Sequence, residues 1–152
     1  MLGYLDYGSV DMAEKVSQEV MDHLLDFYNE NPFVEKLMIK VDTVEMGRVV
    51  LWMDVEYLHI NYYHIAHGGA LMSLADTSMG ATCLSCNKKV VTQSFSMNFV
   101  KAAPMGKRVI AVGRVLHNGS RTMTCETELI NEEGQLLCKA SGSFFVIGTF
   151  TE

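Results

Sequence analysis

Between Gly69 and Cys86 the chain reads "GALMSLADTSMGATCLSC": small and apolar residues, good helix formers, and one carboxylate, Asp76. A helix of this kind is apolar on nearly every side, so it is stable only where the rest of the domain wraps around it. His67, two glycines and Asp76 interrupt the stretch, which leaves it short of the roughly 20 apolar residues that a membrane-spanning helix needs. No membrane partner is expected.

The wrapping material must come from the flanking segments, and most of these read as strands. Downstream, "VVTQSFSMNFV" alternates strictly, with Thr92, Ser94, Ser96 and Asn98 assigned to one face and Gln93, Phe95, Met97 and Phe99 to the other. The runs "RVIAVGRVLH", "RTMTCETELI" and "QLLCKASGSFFVI" follow, separated by the turn signals Asn118-Gly119 and Glu133-Gly134, which favour antiparallel neighbours. Upstream, "EKLMIKVDTV" and "RVVLWMDVEY" flank Met46-Gly47 and read as a hairpin. Near the start, Met12, Val16, Val20, Leu24 and Phe27 mark one helical face over about Asp11 to Asn29, with Asp11 as cap and Glu14 three residues on. Asn31-Pro32 ends that helix. The expected fold is α+β, an antiparallel sheet curled around one long buried helix. Residues 1–30 form an N-terminal helical extension and 31–152 the main domain.

A chain of 152 residues, 49% hydrophobic and 20% charged, suits one globular domain. A net charge of −6 argues against a nucleic-acid partner, whose backbone demands clustered cations. A small anionic ligand needs only a local group such as Lys88-Lys89, Lys107-Arg108 or Arg121. The first residues lack a basic segment followed by an apolar core, so a cytoplasmic location is expected. Four cysteines, at 83, 86, 125 and 138, then read as reduced thiols. The Cys83-x-x-Cys86 pair falls late in its helix, where the dipole does not favour thiolate, and lacks a second pair for zinc.

Chemistry concentrates before and within the buried helix. Gly68-Gly69 leaves main-chain N–H groups uncrowded at a helix start, where donors lack intrahelical partners; the pair either holds an oxyanion or merely makes a tight entry turn. Burying an unpaired carboxylate is costly, so Asp76 lies either on an exposed stripe or is kept for chemistry, as base or attacking group. Asn61 offers a side-chain amide, or is an ordinary loop residue. His59, His64 and His67 have a spacing that matches no zinc pattern, and no metal is expected. His67 fits the loop-to-helix entry.

Taken together, H-x-N (His59, Asn61), H-G-G (His67, Gly68, Gly69) and L-x-x-L-A-D (Leu71, Leu74, Ala75, Asp76) resemble the signature of hotdog-fold acyl-CoA thioesterases of the phenylacetate-degradation type. The later stretches "SMNFVKAAPMGKRV", "HNGSRT" and "GSFFV" are similar too, so the likeness covers roughly residues 33 to 147. It implies hydrolysis of an acyl-CoA to free acid and coenzyme A without a cofactor beyond the substrate's own CoA. Asp76 would be the catalytic carboxylate, the Gly68 amide would polarise the carbonyl, and Asn61 would position carbonyl or water. His67, Gly69 and Ser94 are assigned to substrate binding, Ser94 with a hydroxyl near the water. Arg121 is assigned to the nucleotide phosphates, and the N-terminal helix to packing only. Tyr62, Tyr63, Met72 and Met79 line an aliphatic or aryl acyl pocket or fill the core.

Asp76 lies eight positions beyond Gly68, about 12 Å along a helix, too far for both to reach one thioester carbon. A twofold dimer with two such helices antiparallel brings them together, so a homo-oligomer, a dimer or a dimer of dimers, is expected. The alternatives are a non-catalytic acyl-CoA binding or sensing module, a hotdog dehydratase and a purely structural oligomer.

Overall fold

The computed structural model describes residues 15–152. Helix α1 (Gln18–Asn29) and the short α2 (Pro32–Lys36) precede a hairpin of β1 (Lys40–Glu45) and β2 (Arg48–Asp54), with Gly47 at φ 74° in its turn. A 3₁₀ turn (Tyr57–His59) and a loop lead into the long helix α3 (Gly68–Ser85). Four strands follow: β3 (Lys88–Phe99), β4 (Arg108–Asn118), β5 (Thr122–Ile130) and β6 (Leu136–Thr149). All six strands form one antiparallel sheet in the order β1-β2-β4-β5-β6-β3, and α3 packs on its inner face, as the apolar run requires.

Small side chains let α3 and the sheet approach closely. Ser78, Thr82 and Ser85 are buried, and each hydroxyl is satisfied: Ser78 Oγ and Thr127 Oγ1 are 3.1 Å apart, Thr82 donates to the Ser78 carbonyl at 2.8 Å, and Ser85 donates to the Thr82 carbonyl at 2.7 Å. Opposite them stands Gly113 on β4, where a Cβ would lie 2.7 Å from Ser78 Oγ and 2.9 Å from the Ser78 carbonyl, and would also strike Thr82 Oγ1.

Three local expectations need correction. First, α1 begins at Gln18 because Ser17 Oγ accepts the Val20 N–H, so Val16 precedes the helix; Asp11, Met12 and Glu14 lie outside the described residues. The buried face is Val20, Leu24 and Tyr28, while Phe27 is 46% exposed. Second, α1 does stop before Asn31-Pro32, at Asn29, but Pro32 then does more than end a helix. It starts α2 at a position where its missing N–H costs nothing, and Asn31 Oδ1 caps Phe33 and Val34, so the strand expected from Glu35 begins only at Lys40. Third, the register of β3 against β6 shifts between Thr92 and Ser94, leaving Gln93 unpaired in a bulge. Thr92 pairs with the inward Phe144, whereas Ser94 pairs with Ser143, so the two hydroxyls face opposite sides of the sheet.

Gly113→Ala should lower the melting temperature by several degrees, for a cost of about 1–3 kcal/mol of overpacking. Gly148→Ala, where a Cβ meets nothing within 4 Å, is the control and should leave the melting curve nearly unmoved; equal effects would contradict the close approach.

Candidate active site

Asp76 occupies the side of α3 that the sheet leaves uncovered, the stripe of Met72, Ser73, Asp76, Thr77 and Gly80 at helical spacing. It is half-buried, and its Oδ1 accepts a 2.9 Å hydrogen bond from Thr92 Oγ1. This stripe, the inner face of β3 and helices α1 and α2 line an open cavity of about 590 Å³. Tyr28 reaches over from α1 and donates to the Thr77 carbonyl at 3.3 Å. Burial, reinforced by the charge of Asp76, pushes its hydroxyl far above the usual tyrosine range, so it stays protonated.

At the other end of the axis, His67 is the N-cap of α3, and its Nδ1 accepts the Gly69 N–H at 2.8 Å. The Ala70 and Leu71 amides bond to the His67 carbonyl. Gly68 is therefore left with an N–H that meets no acceptor among the described residues, at the positive end of an 18-residue helix. A Cβ on Gly68 would only touch the Phe99 ring at 3.5 Å.

Asn61 organises the loop before α3. Its Oδ1 accepts from the Tyr63 and Ile65 amides at 2.9 and 3.4 Å, which leaves the Nδ2 amide without a partner among the described residues. Buried His59 accepts the Glu56 N–H at Nδ1, and its Nε2, 2.8 Å from the Leu37 carbonyl, donates there; its own carbonyl holds the His67 amide. The H-x-N pair is thus a loop anchor as well as a motif. No cluster of three or more metal-ligating side chains occurs among the described residues.

Several other residues fall elsewhere. Ser94 is on the outer face of the sheet, turned away from Asp76 of its own chain, and Arg121 is exposed in the β4–β5 turn outside the cavity wall. Of the four residues offered for an acyl pocket, Met72 lines the cavity, Met79 is fully buried in the core, and Tyr62 and Tyr63 are exposed on the loop. Arg108 is spent on a bidentate pair with Asp54 and stacks 3.6 Å over Trp52. The four cysteines are free; Cys83 lies 3.4 Å from Cys125 in the core, and their hydrogen bond together with burial holds the Cys125 thiol protonated.

The profile of the thioesterase superfamily matches residues 63–138, the stretch from the loop through α3 to β6. The chain belongs to the thioesterase superfamily. The acyl-coenzyme A thioesterase PaaI of Escherichia coli is 26% identical over 80% of this chain and 86% of its own. The solved structure of E. coli PaaI superposes with a TM-score of 0.84, covering 89% of this chain and 98% of that one at 24% identity, and this is the expected hotdog fold. A hypothetical thioesterase protein of Streptococcus pneumoniae, solved with coenzyme A, is 32% identical with a TM-score of 0.71, over 73% of this chain and 90% of that one. It has also been solved with a threonine and with an aspartate replaced by alanine, sixteen positions apart, the separation of Asp76 and Thr92 here.

Thr92, the hydrogen-bond partner of Asp76, is the residue that the alternation pattern hides. A bulge reverses parity without changing composition, and the pointer to Thr92 is the sixteen-residue step that it and Asp76 share with the pair replaced in the S. pneumoniae protein.

Asn61→Ala should release the Tyr63 and Ile65 amides, speeding their hydrogen exchange about tenfold while α3 stays protected. Unchanged exchange in the 61–66 loop would remove Asn61 from its anchoring role.

Proposed function

We propose that the protein hydrolyses an acyl-CoA thioester to the free acid and coenzyme A, with Asp76 as the catalytic carboxylate and the Gly68 amide as the oxyanion donor. The unpartnered Gly68 N–H on the same helix as a Thr92-oriented Asp76 is the observation that carries this reading. The membership in the thioesterase superfamily and the coenzyme A in the S. pneumoniae relative support it.

The thioester carbonyl lies against the start of α3, where the free N–H and the helix dipole favour the negative charge that builds on oxygen. The Asn61 Nδ2 amide helps to orient that carbonyl or the attacking water. Asp76 either takes the proton of a water or attacks directly, and both routes need an ionised carboxylate held at a fixed rotamer, which is what Thr92 supplies.

One chain does not bring the two groups together, because α3 is continuous from Gly68 to Ser85 and spaces them by about 12 Å. The site is therefore composite, with Gly68 of one protomer facing Asp76 of its partner in a twofold dimer. The outer edge of β3, last in the sheet and 12 residues long, is unpaired within the chain, and exposed Val91, Phe145 and Ile147 lie on β3 and its neighbour. Long apolar edges of this kind are covered in stable proteins, and a second copy is the natural cover. Ser94 lies on that strand.

Asp76→Asn should lower thiol release from an acyl-CoA panel by about 10²- to 10⁴-fold. Gly68→Pro removes the N–H and adds a small ring, whose Cβ would meet only the Phe99 side chain in ordinary contact at 3.5 Å. Proline suits the first helical position, and the His67 ψ of 137° is already what a residue before proline prefers, so the helix should persist while turnover falls about 10²- to 10³-fold. Folded variants within a few-fold of wild type would reassign the catalytic groups, and a wild-type protein inert toward every acyl-CoA would end the reading.

A further inference from the structure

The notable feature of the cavity beside Asp76 is the origin of its walls. Residues 63–138 carry the family match, but Phe27, Tyr28, Asn31, Phe33 and Val34 come from α1, α2 and their junction, outside it. The N-terminal helix was expected only to pack. Instead, Phe27 and Phe33 line the cavity together with Met72 of α3, and all three are large apolar side chains left exposed, at 46%, 57% and 41%. Val90, Phe95 and Phe144 of the sheet close the inner side.

Exposed apolar groups that converge on one hollow, with the carboxylate in its wall, mark a place for an apolar ligand. No Lys, Arg or His lines the hollow, and its single charge is the anion Asp76. A tail ending in a carboxylate would be desolvated there beside a like charge and with no cation to pair it, so the cavity disfavours it. One turn beyond Asp76, Gly80 lines the same wall, and a Cβ built there meets nothing within 4 Å. The missing side chain leaves space that a ligand can fill.

We propose that this cavity receives the acyl tail, that helices α1 and α2 make it selective for neutral, apolar tails of medium length or aryl character, and that Gly80 sets how far the tail extends. The proposal rests on the acyl-CoA reading above. Gly80 and Asp76 lie within the matched residues 63–138, and the side chains of α1 and α2 that complete the wall lie outside them.

The test compares kcat/KM for decanoyl-CoA and acetyl-CoA, with glutaryl-CoA as the charged tail, in wild type, Gly80→Leu and Phe33→Ala. A parallel arm measures equilibrium binding of decanoyl-CoA and free coenzyme A to Asp76→Asn, with and without Gly80→Leu. Wild type should favour decanoyl-CoA over both other substrates. Gly80→Leu should lower the decanoyl-to-acetyl ratio about tenfold or more, since even one methylene of misfit in an apolar pocket costs about tenfold. Phe33→Ala, at an exposed position that cannot threaten the fold, should lower the ratio severalfold. Ratios unchanged in both variants, or a wild-type preference for glutaryl-CoA, would overturn the pocket while leaving hydrolysis intact. A wild type without turnover, whose Asp76→Asn form binds decanoyl-CoA more tightly than coenzyme A and loses that preference with Gly80→Leu, would overturn the hydrolysis and keep the pocket.

Discussion

Everything in this molecule follows from the need to enclose α3. A helix with so little polar surface cannot stand beside a sheet; it must be wrapped, and all six strands contact it. Close wrapping needs small residues where helix and sheet meet, hence Gly113 against Ser78 and Thr82, and it needs every buried hydroxyl paired, which the Ser78–Thr127 contact and the back-bonds of Thr82 and Ser85 achieve. A single antiparallel sheet still covers only part of a cylinder. The remaining stripe of α3 is roofed by α1 and α2, and the imperfect fit between roof and helix is the cavity that holds Asp76.

The same enclosure sets the electrostatics. Asp76 sits on the uncovered stripe rather than against the sheet, so it escapes full desolvation yet remains fixed by Thr92. Tyr28, kept neutral, seals the roof without adding a second charge. At the far end His67 takes up the Gly69 N–H, and the neighbouring amide is left free at the head of the helix dipole. Donor and carboxylate are thus each well prepared and badly placed for one another within a single chain, which is why the proposed chemistry requires a second copy.

Much of this was legible in the sequence because it depended on composition and local pattern. The all-apolar run marked α3 to within a residue at each end, the turn pairs marked the hairpins, and the histidine, glycine and aspartate spacings marked the family. What escaped depended on tertiary context. The β3 bulge put Thr92 beside Asp76 and turned Ser94 outward, and two-residue alternation is blind to an inserted residue. Ser17 rather than Asp11 as the cap of α1, and Tyr28 rather than Phe27 on its buried face, reflect competing helical registers that packing resolved. The contribution of α1 and α2 to the cavity was invisible, since an amphipathic helix shows that it covers something but not what lies beneath.

The composite site is tested most directly by mixing two inactive proteins, Asp76→Asn and Gly68→Pro, under conditions where subunit exchange is shown by mass. If the two groups act across the dimer, equal mixing should restore about a quarter of wild-type thiol release, because half of the dimers become mixed and each has one intact site of two. If each chain supplied both groups to its own site, every site would keep one defect, and proven mixed dimers would show no recovery.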